Sequence, residues 1–363
     1  MKIGVDCHVL KGKYQGSKTY VAGLYNAVLA LNPKHNFIFF GSGSNKYFGE
    51  DRVYAEYKSD SRWKRLTYQT APLVKRYKLD IFHSNYIAPI ILTCRSLLTV
   101  HDILFETHPQ FFTRSEVLRN RLLVKHSVKN ATLIHTVSEF SKRALINIYQ
   151  IPSDRIHIVP NGVDLIRFNP VGHKSAAVRI NDLFNIKDYI LSVGRLEPRK
   201  NHIGLLRAYG IVRQRNRNVG PLVLVGQRDF HYQEIFDEVD NLNLRNSVKI
   251  LESVNNDLLP IIYQAARLFV YPSFAEGFGV PPLEAMACGV PVVTSNTSAL
   301  PEVVGDAGFL VNPSDPEDIA EAMLEVLSDQ ELSNNFAVKG RIQAEGLTWD
   351  NAAKSYIDSL KGL

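Results

Sequence analysis

Two cations and two carboxylates stand out by their spacing. In Ser192-Val193-Gly194-Arg195-Leu196-Glu197-Pro198-Arg199-Lys200-Asn201, an apolar run ends at Gly194 and an amphipathic stretch begins near Asn201, a good helix N-cap residue. Arg195 and Lys200 therefore belong to a strand-to-helix loop. Cations at a helix N-terminus suit a diphosphate, because the helix dipole and the free N–H groups add to their field. Taken alone, such residues are as often merely solvated. The second constellation is Phe274-Ala275-Glu276-Gly277-Phe278-Gly279-Val280-Pro281-Pro282-Leu283-Glu284. Gly277 and Gly279 allow the backbone to approach a ligand closely. Pro281 and Pro282 suit the first turn of a helix, which places Glu284 one turn in and Glu276 on the loop before it. Two carboxylates flanking a glycine turn can accept hydrogen bonds from sugar hydroxyls in one pocket. The plainer reading, a helix-start carboxylate stabilised by the dipole, is weakened by the turn glycines and the cationic loop.

The elements that must position these groups follow from periodicity. Short apolar runs at 2–6, 37–40, 79–83, 97–100 and 132–137 read as strands, and amphipathic stretches at 17–31, 113–130 and 139–149 read as helices. The second half repeats the rhythm, with strands at 189–193, 222–225, 248–251, 268–271 and 291–294 and helices at 201–215, 231–242, 256–266, 280–288 and 317–328. Alternating strands and helices predict α/β architecture with parallel sheets. Pro160-Asn161-Gly162-Val163-Asp164 and the polar segment 169–187 read as the linker. The expected domains are 1–168 and 169–349, with the last helix, within 350–363, a candidate to return to the first. Ligands of open α/β sheets bind beyond the carboxyl ends of the strands, so two such edges facing each other would make a cleft.

A chain of 363 residues suits two domains, and 45% hydrophobic with 21% charged residues is globular composition. Cys7, Cys94 and Cys288 are few and widely spaced, which argues against a disulfide framework or a zinc site. No run resembles a signal peptide or a membrane span, so a cytoplasmic location is expected. The net charge of +6 conceals an asymmetry: residues 1–170 hold 24 Lys and Arg against 12 Asp and Glu, whereas residues 171–363 hold 18 against 24. The basic half suits an anionic surface, either a lipid leaflet or a phosphorylated acceptor. No nucleic-acid-binding motif accompanies the charge.

Arg195, Lys200, Glu276 and Glu284, set in EGFGVPPLEAMACGVPVV, resemble the Glu-x7-Glu signature of the retaining GT-B glycosyltransferases of family GT4. The resemblance extends to VSEFSK at 137–142, PNGVD at 160–164 and LPEVVGDAGFLVNPSDPEDIA at 300–320. It implies a GT-B fold, two Rossmann-like domains whose parallel sheets face across a cleft, with the acceptor on the N-terminal side and the nucleotide sugar on the other. By the same resemblance, Arg195 and Lys200 hold the donor diphosphate beside Gly194. Glu284 takes the ribose hydroxyls. Glu276 contacts the transferred sugar, supported by the N–H groups of Gly277, Phe278 and Gly279. The base lies near Gly226–Arg228 and Glu252–Val254, including Val254. His101, in Val100-His101-Asp102 at a strand end, contacts the donor sugar; a buried structural histidine is the alternative there. Gly16, in the loop after the first strand, approaches a phosphate, although this chain has Gly16-Ser17 where the family often has two glycines.

No DxD motif sits on a strand-end loop, and Glu238-Val239-Asp240 falls on an expected helix, so no metal or other cofactor is expected. No covalent nucleophile stands out. The resemblance implies retention by same-face attack, with the donor phosphate taking the acceptor proton. The pattern is similar to bacterial mannosyl- and rhamnosyl-type polysaccharide enzymes, which favours GDP-mannose, then a UDP-sugar, and a glycan or lipid-linked acceptor. The basic, aromatic-flanked segment 110–129 is either a peripheral membrane contact or a sheet-covering helix with a basic outer face. A sugar-nucleotide epimerase of the same fold and a non-catalytic sugar-nucleotide-binding subunit remain as alternatives. A dehydrogenase is disfavoured because no G-x-G-x-x-G follows the first strand.

Overall fold

A computed structural model describes residues 1–11, 16–31 and 34–363 of the chain. It divides into two compact units, residues 1–162 with 349–363, and residues 163–348. The division falls after Gly162 rather than after 168, and the chain from Trp349 onward belongs to the first unit.

The first unit holds β1 (Lys2–Asp6), β2 (Asn36–Phe40), β3 (Val53–Ala55), β4 (Ile81–Asn85), β5 (Arg95–Thr99), β6 (Leu133–Thr136) and β7 (Ile156–Ile158). All pair in parallel, in the order β3-β2-β1-β4-β5-β6-β7. The second holds β8 (Ile190–Val193), β9 (Leu222–Val225), β10 (Val248–Leu251), β11 (Leu268–Tyr271), β12 (Val292–Ser295) and β13 (Phe309–Val311). These too are parallel, in the order β10-β9-β8-β11-β12-β13. Helices cover the sheets, so the strands are buried and apolar almost without alternation: LVLV in β9 and LFVY in β11 are buried throughout. In each sheet the strand order reverses once, at β1/β4 and at β8/β11. A doubly wound sheet opens a crevice at that point, beyond the strands' carboxyl ends.

The helix Trp349–Ser359 lies against Gly16–Ala30. A side chain at Gly23 would collide with the Trp349 indole, so glycine is what lets the two helices approach. Tyr25 and Tyr356 hydroxyls meet at 3.0 Å and His135 Nε2 lies 2.8 Å from Ser359 Oγ, so the returning helix is fixed by buried polar contacts as well as packing.

Two expectations are corrected, and one unassigned stretch is helical. The polar segment 169–187 contains a helix, His173–Phe184, whose only fully buried side chains are Ala176 and Ile180. So narrow an apolar stripe reads as a linker. Residues 62–77, not assigned to any element, are helical throughout, with a π-helical stretch at Arg65–Gln69 that breaks the 3.6-residue period. Gly16 is not a loop residue but the first residue of the helix Gly16–Ala30; Tyr14 and Gln15 before it lie outside the described residues.

Candidate functional site

Both loops at the β8/β11 reversal belong to the second unit. After β8, Gly194 N donates to Val225 O, and the chain runs through Arg195 into a 3-10 turn at Pro198–Lys200. Asn201 then caps the helix His202–Arg215. It sits in the left-handed region, which asparagine tolerates, and its Oδ1 accepts from Gly204 N at 3.2 Å. Its Nδ2 donates to Pro272 O at 3.0 Å and Pro313 O at 2.6 Å, which ties the loop to the end of β11.

That tie brings Lys200 to Glu276. Glu276 Oε1 accepts from Lys200 Nζ (2.6 Å), Ser273 Oγ (2.6 Å) and Tyr271 OH (2.9 Å), and Oε2 accepts from Arg199 Nη1 (2.9 Å). Burial alone would raise its pKa, but the charges of Arg199 and Lys200 outweigh burial and hold Glu276 well below the usual carboxylate range. Arg199, which no spacing argument singled out, bridges Glu276 and Glu197. Its position beside Lys200 in the same 3-10 turn was the available signal.

Gly277, Phe278 and Gly279 form the buried turn after Glu276. Gly279 has φ near +146°, a conformation closed to side-chain-bearing residues. The helix Val280–Ala287 follows, with proline in its first turn. Glu284 is buried on it, and its Oε2 accepts from Tyr263 OH at 2.9 Å. Burial raises the Glu284 pKa to about 7 against the hydrogen bond from Tyr263 and the charge of Arg167. The two glutamates thus differ: one is fixed as an anion, the other is poised near neutrality.

Arg195 stands apart from Lys200. It is half exposed, with Nη1 on Asp229 at 2.5 Å, while its carbonyl receives His202 Nε2 at 3.1 Å. Burial lowers the His202 pKa to about 4, so this ring is neutral at pH 7. Val254 lies half-buried in the loop after β10, and Glu252 beside it receives a two-pronged contact from Arg228 at 2.7 and 2.8 Å. Glu238 and Asp240 are on a helix, engaged by Arg207 and Arg245. Among the described residues no group of three or more His, Cys, Asp or Glu could hold a metal ion.

In the first unit, His101 follows β5 two residues on, buried edge-on to Tyr20 at 4.7 Å and tilted against Tyr86 at 5.5 Å. Its Nε2 has no hydrogen-bond partner among the described residues. Burial pulls its pKa down to about 4, so the ring is neutral and offers one donor and one acceptor. Tyr86 has φ of 58°, a left-handed conformation for an aromatic residue at the end of β4. Gly16 is exposed and would accommodate a Cβ.

Two doubly wound units, one with a lysine-anchored glutamate on a glycine turn, are the architecture of the GT-B class. Residues 14–167 match the Glycosyltransferase Family 4 model and residues 175–343 the Glycosyl transferases group 1 model. The chain is similar to O-antigen chain mannosyltransferase B of Escherichia coli, 36% identical over 293 residues, covering 79% of this chain and 76% of that one. It is also 30% identical over 239 residues, or 65% of its length, to the serotype-specific mannosyltransferase WbdA of Escherichia coli, but spans only 29% of that longer protein. Anabaena Alr3699/HepE, solved in complex with UDP-glucose, superposes with a TM-score of 0.79 at 20% identity over the whole of both chains. The chain belongs to the group 1 glycosyltransferases of family 4 and is a glycosyltransferase enzyme of the GT-B fold.

Proposed function

We propose that the protein is a retaining, metal-independent transferase that moves a hexose from a nucleoside-diphosphate sugar to a glycan or lipid-linked acceptor in surface polysaccharide synthesis. GDP-mannose is the first candidate donor and a UDP-sugar the second. The observation that carries this reading is the Glu276 carboxylate, held ionised by Lys200 and Arg199 at the sheet's reversal point. A carboxylate fixed in this way serves as a preorganised acceptor for a sugar hydroxyl, and the adjoining cations offset the charge of a departing diphosphate. Glu284 takes the ribose hydroxyls, Arg195 the diphosphate, and His101, with Nε2 unengaged, the donor sugar. The mannose assignment draws on the similarity to the Escherichia coli mannosyltransferases.

Thermal shifts with UDP, GDP, ADP and dTDP test the reading. GDP is expected to raise the melting temperature most, and Arg195→Ala to abolish the shift; a full shift in that variant refutes the role of Arg195. Nucleoside diphosphate released from the matching sugar nucleotide, faster with acceptor present, supports transfer. Sugar isomers interconverting without acceptor would support an epimerase.

The reading places the protein in the cytoplasm, at the inner face of the membrane. No described helix is long and apolar enough to cross a bilayer. The helix Arg114–Asn130 exposes Arg114, Arg119, Arg121, Lys125 and Lys129, which suits attraction to anionic lipid. The protein is expected to co-sediment with vesicles containing phosphatidylglycerol and to be released by about 0.5 M salt, where the Debye length falls to roughly 4 Å. Equal binding to neutral phosphatidylcholine vesicles counts against this.

A further inference from the structure

The first unit contains a cavity of about 720 Å³ beyond the carboxyl ends of β1, β2 and β4, walled also by residues 57–65 and the helix Arg114–Asn130. Among its described lining residues, Lys11, Arg62, Arg65 and Arg119 face only two carboxylates, Asp60 and Asp102. Lys11 is paired with Asp60 at 2.5 Å, and the buried Arg65 guanidinium is paired with Asp6. Arg62 and Arg119 have no carboxylate within ion-pair distance among the described residues; Arg119 Nε reaches only the Asn120 amide, at 3.3 Å. Arg62, Arg65 and Arg119 line this one cavity, so their guanidiniums crowd one region; partial burial, then the charges of Arg119 and Arg65, lower the Arg62 pKa.

Two features show that this crowding is built into the fold. The π-helical stretch Arg65–Gln69 departs from α-helical winding where Arg65 enters the wall, and such departures are rare and concentrate at functional sites. Asn85 Oδ1, at the carboxyl end of β4, is buried in the lining without a partner among the described residues. A buried acceptor left unpaired has lost its water without gaining a donor, a deficit that a ligand hydroxyl would offset. Unopposed guanidiniums call for an anion, and the fork of arginine donors matches phosphate oxygens.

We propose that this cavity binds the phosphate or diphosphate group of the acceptor, with Arg62 and Arg119 as its guanidinium ligands and Asn85 accepting a hydrogen bond from an acceptor hydroxyl. The word acceptor rests on the transferase reading; the anion site does not. Phosphate of this kind comes either from a soluble sugar phosphate or from a lipid-linked sugar diphosphate. The surroundings favour the second. Trp63 (60% exposed), beside Arg62, and Leu118 (60%) and Leu122 (63%), one turn apart beside Arg119, present apolar surface on the elements that carry the arginines.

The test uses the full chain saturated with the nucleoside diphosphate that binds it, so that the Arg195–Lys200 loop does not take the probe. Pyrophosphate titrated by calorimetry is expected to bind, and Arg62→Gln/Arg119→Gln to weaken binding at least tenfold while leaving the nucleoside-diphosphate thermal shift intact. Both arginines are exposed, so the variant is expected to fold, and circular dichroism checks that. Unchanged pyrophosphate affinity in the folded variant overturns the proposal, as does no binding to the parent protein. A second arm compares glucose 1-phosphate with a short-chain prenyl diphosphate sugar. Tighter binding of the prenyl compound, lost in the same variant, assigns the site to lipid-linked acceptors; equal arginine-dependent binding assigns it to sugar phosphates. Arginine-dependent pyrophosphate binding by a protein that binds no nucleoside diphosphate would overturn the transferase reading and leave the anion site standing.

Discussion

Glu276→Gln is expected to cost about 3–5 kcal/mol of stability, the range for breaking a buried charge pair by removing one partner, and to lower the transfer rate by a factor on the order of 10²–10³. The carboxylate is almost wholly buried and accepts from four side chains, two of them cationic. Glutamine keeps the shape but turns one acceptor into a donor, leaving Lys200 without a carboxylate in contact and Arg199 with Glu197 alone. The double variant Glu276→Gln/Lys200→Met removes the stranded cation. It is expected to regain part of the lost stability, because residues in one network are not additive, yet to remain inactive. The pH dependence has a definite sign. The folded pKa of Glu276 lies below its ordinary value of 4.5, so its stabilising contribution is complete above that value and is lost as pH falls through the lower, folded pKa. The stability gap between parent and variant should therefore persist from neutral pH to about 4.5 and close only in stronger acid. Urea midpoints across that range, with kcat and KM measured separately at neutral pH, check both parts. A folded Glu276→Gln protein with unchanged kcat would remove Glu276 from the transferred sugar.

The strands that carry this arrangement were legible because of where they lie in the sheets. β9 and β11 are interior apolar runs bounded by turn residues, and their limits agree with those read from the sequence. The strands that escaped notice, β3, β7 and β13, have three residues each and sit at sheet edges, where one neighbour suffices and the apolar run can be short. The helix Gln330–Gly346 escaped for a related reason: only Gly340 and Ala344 are fully buried on it, so the sequence shows no apolar stripe. The site divides similarly. Lys200 and Glu276 could be named because their loops follow strands and precede helices, which limits where they can point. Their direct contact, 76 residues apart in sequence, depends on the Asn201 amide bonding to the carbonyls of Pro272 and Pro313. No spacing rule predicts such a tie. The partner of Glu284 was hidden more completely, since Tyr263 lies in an apolar helical stretch and looks like core until its hydroxyl is placed.

That hidden contact leads to an opposite expectation for the second glutamate. Glu284→Gln should stabilise the protein at pH 8, on the order of 3 kcal/mol for a carboxyl displaced by about 2.5 pKa units, while weakening nucleotide binding. Burial raises the Glu284 pKa from 4.5 to about 7, so the folded protein favours the protonated form. A raised folded pKa contributes stability that is complete below 4.5 and is lost as pH rises through about 7. Above that point folding must bury a carboxylate whose only side-chain donor among the described residues is Tyr263. Glutamine carries no such charge and can still accept from Tyr263. The parent protein should therefore lose stability between pH 5 and 8 relative to the variant, and the two should converge near pH 5. Ligand binding runs the other way. Ribose hydroxyls that donate to Glu284 favour its ionised form, so binding should release a proton near pH 7 and tighten as pH rises. Nucleoside-diphosphate calorimetry in two buffers of different ionisation enthalpy measures that release directly. In Glu284→Gln the proton release should vanish and affinity should fall by about 10-fold or more, as expected for a hydrogen bond to a charged group worth about 1.5–3 kcal/mol. A variant that bound nucleotide as tightly as the parent at pH 8, with the same proton release, would take the ribose away from Glu284. A parent protein whose stability did not decline between pH 5 and 8 relative to the variant would show that the carboxyl is better solvated than its burial implies.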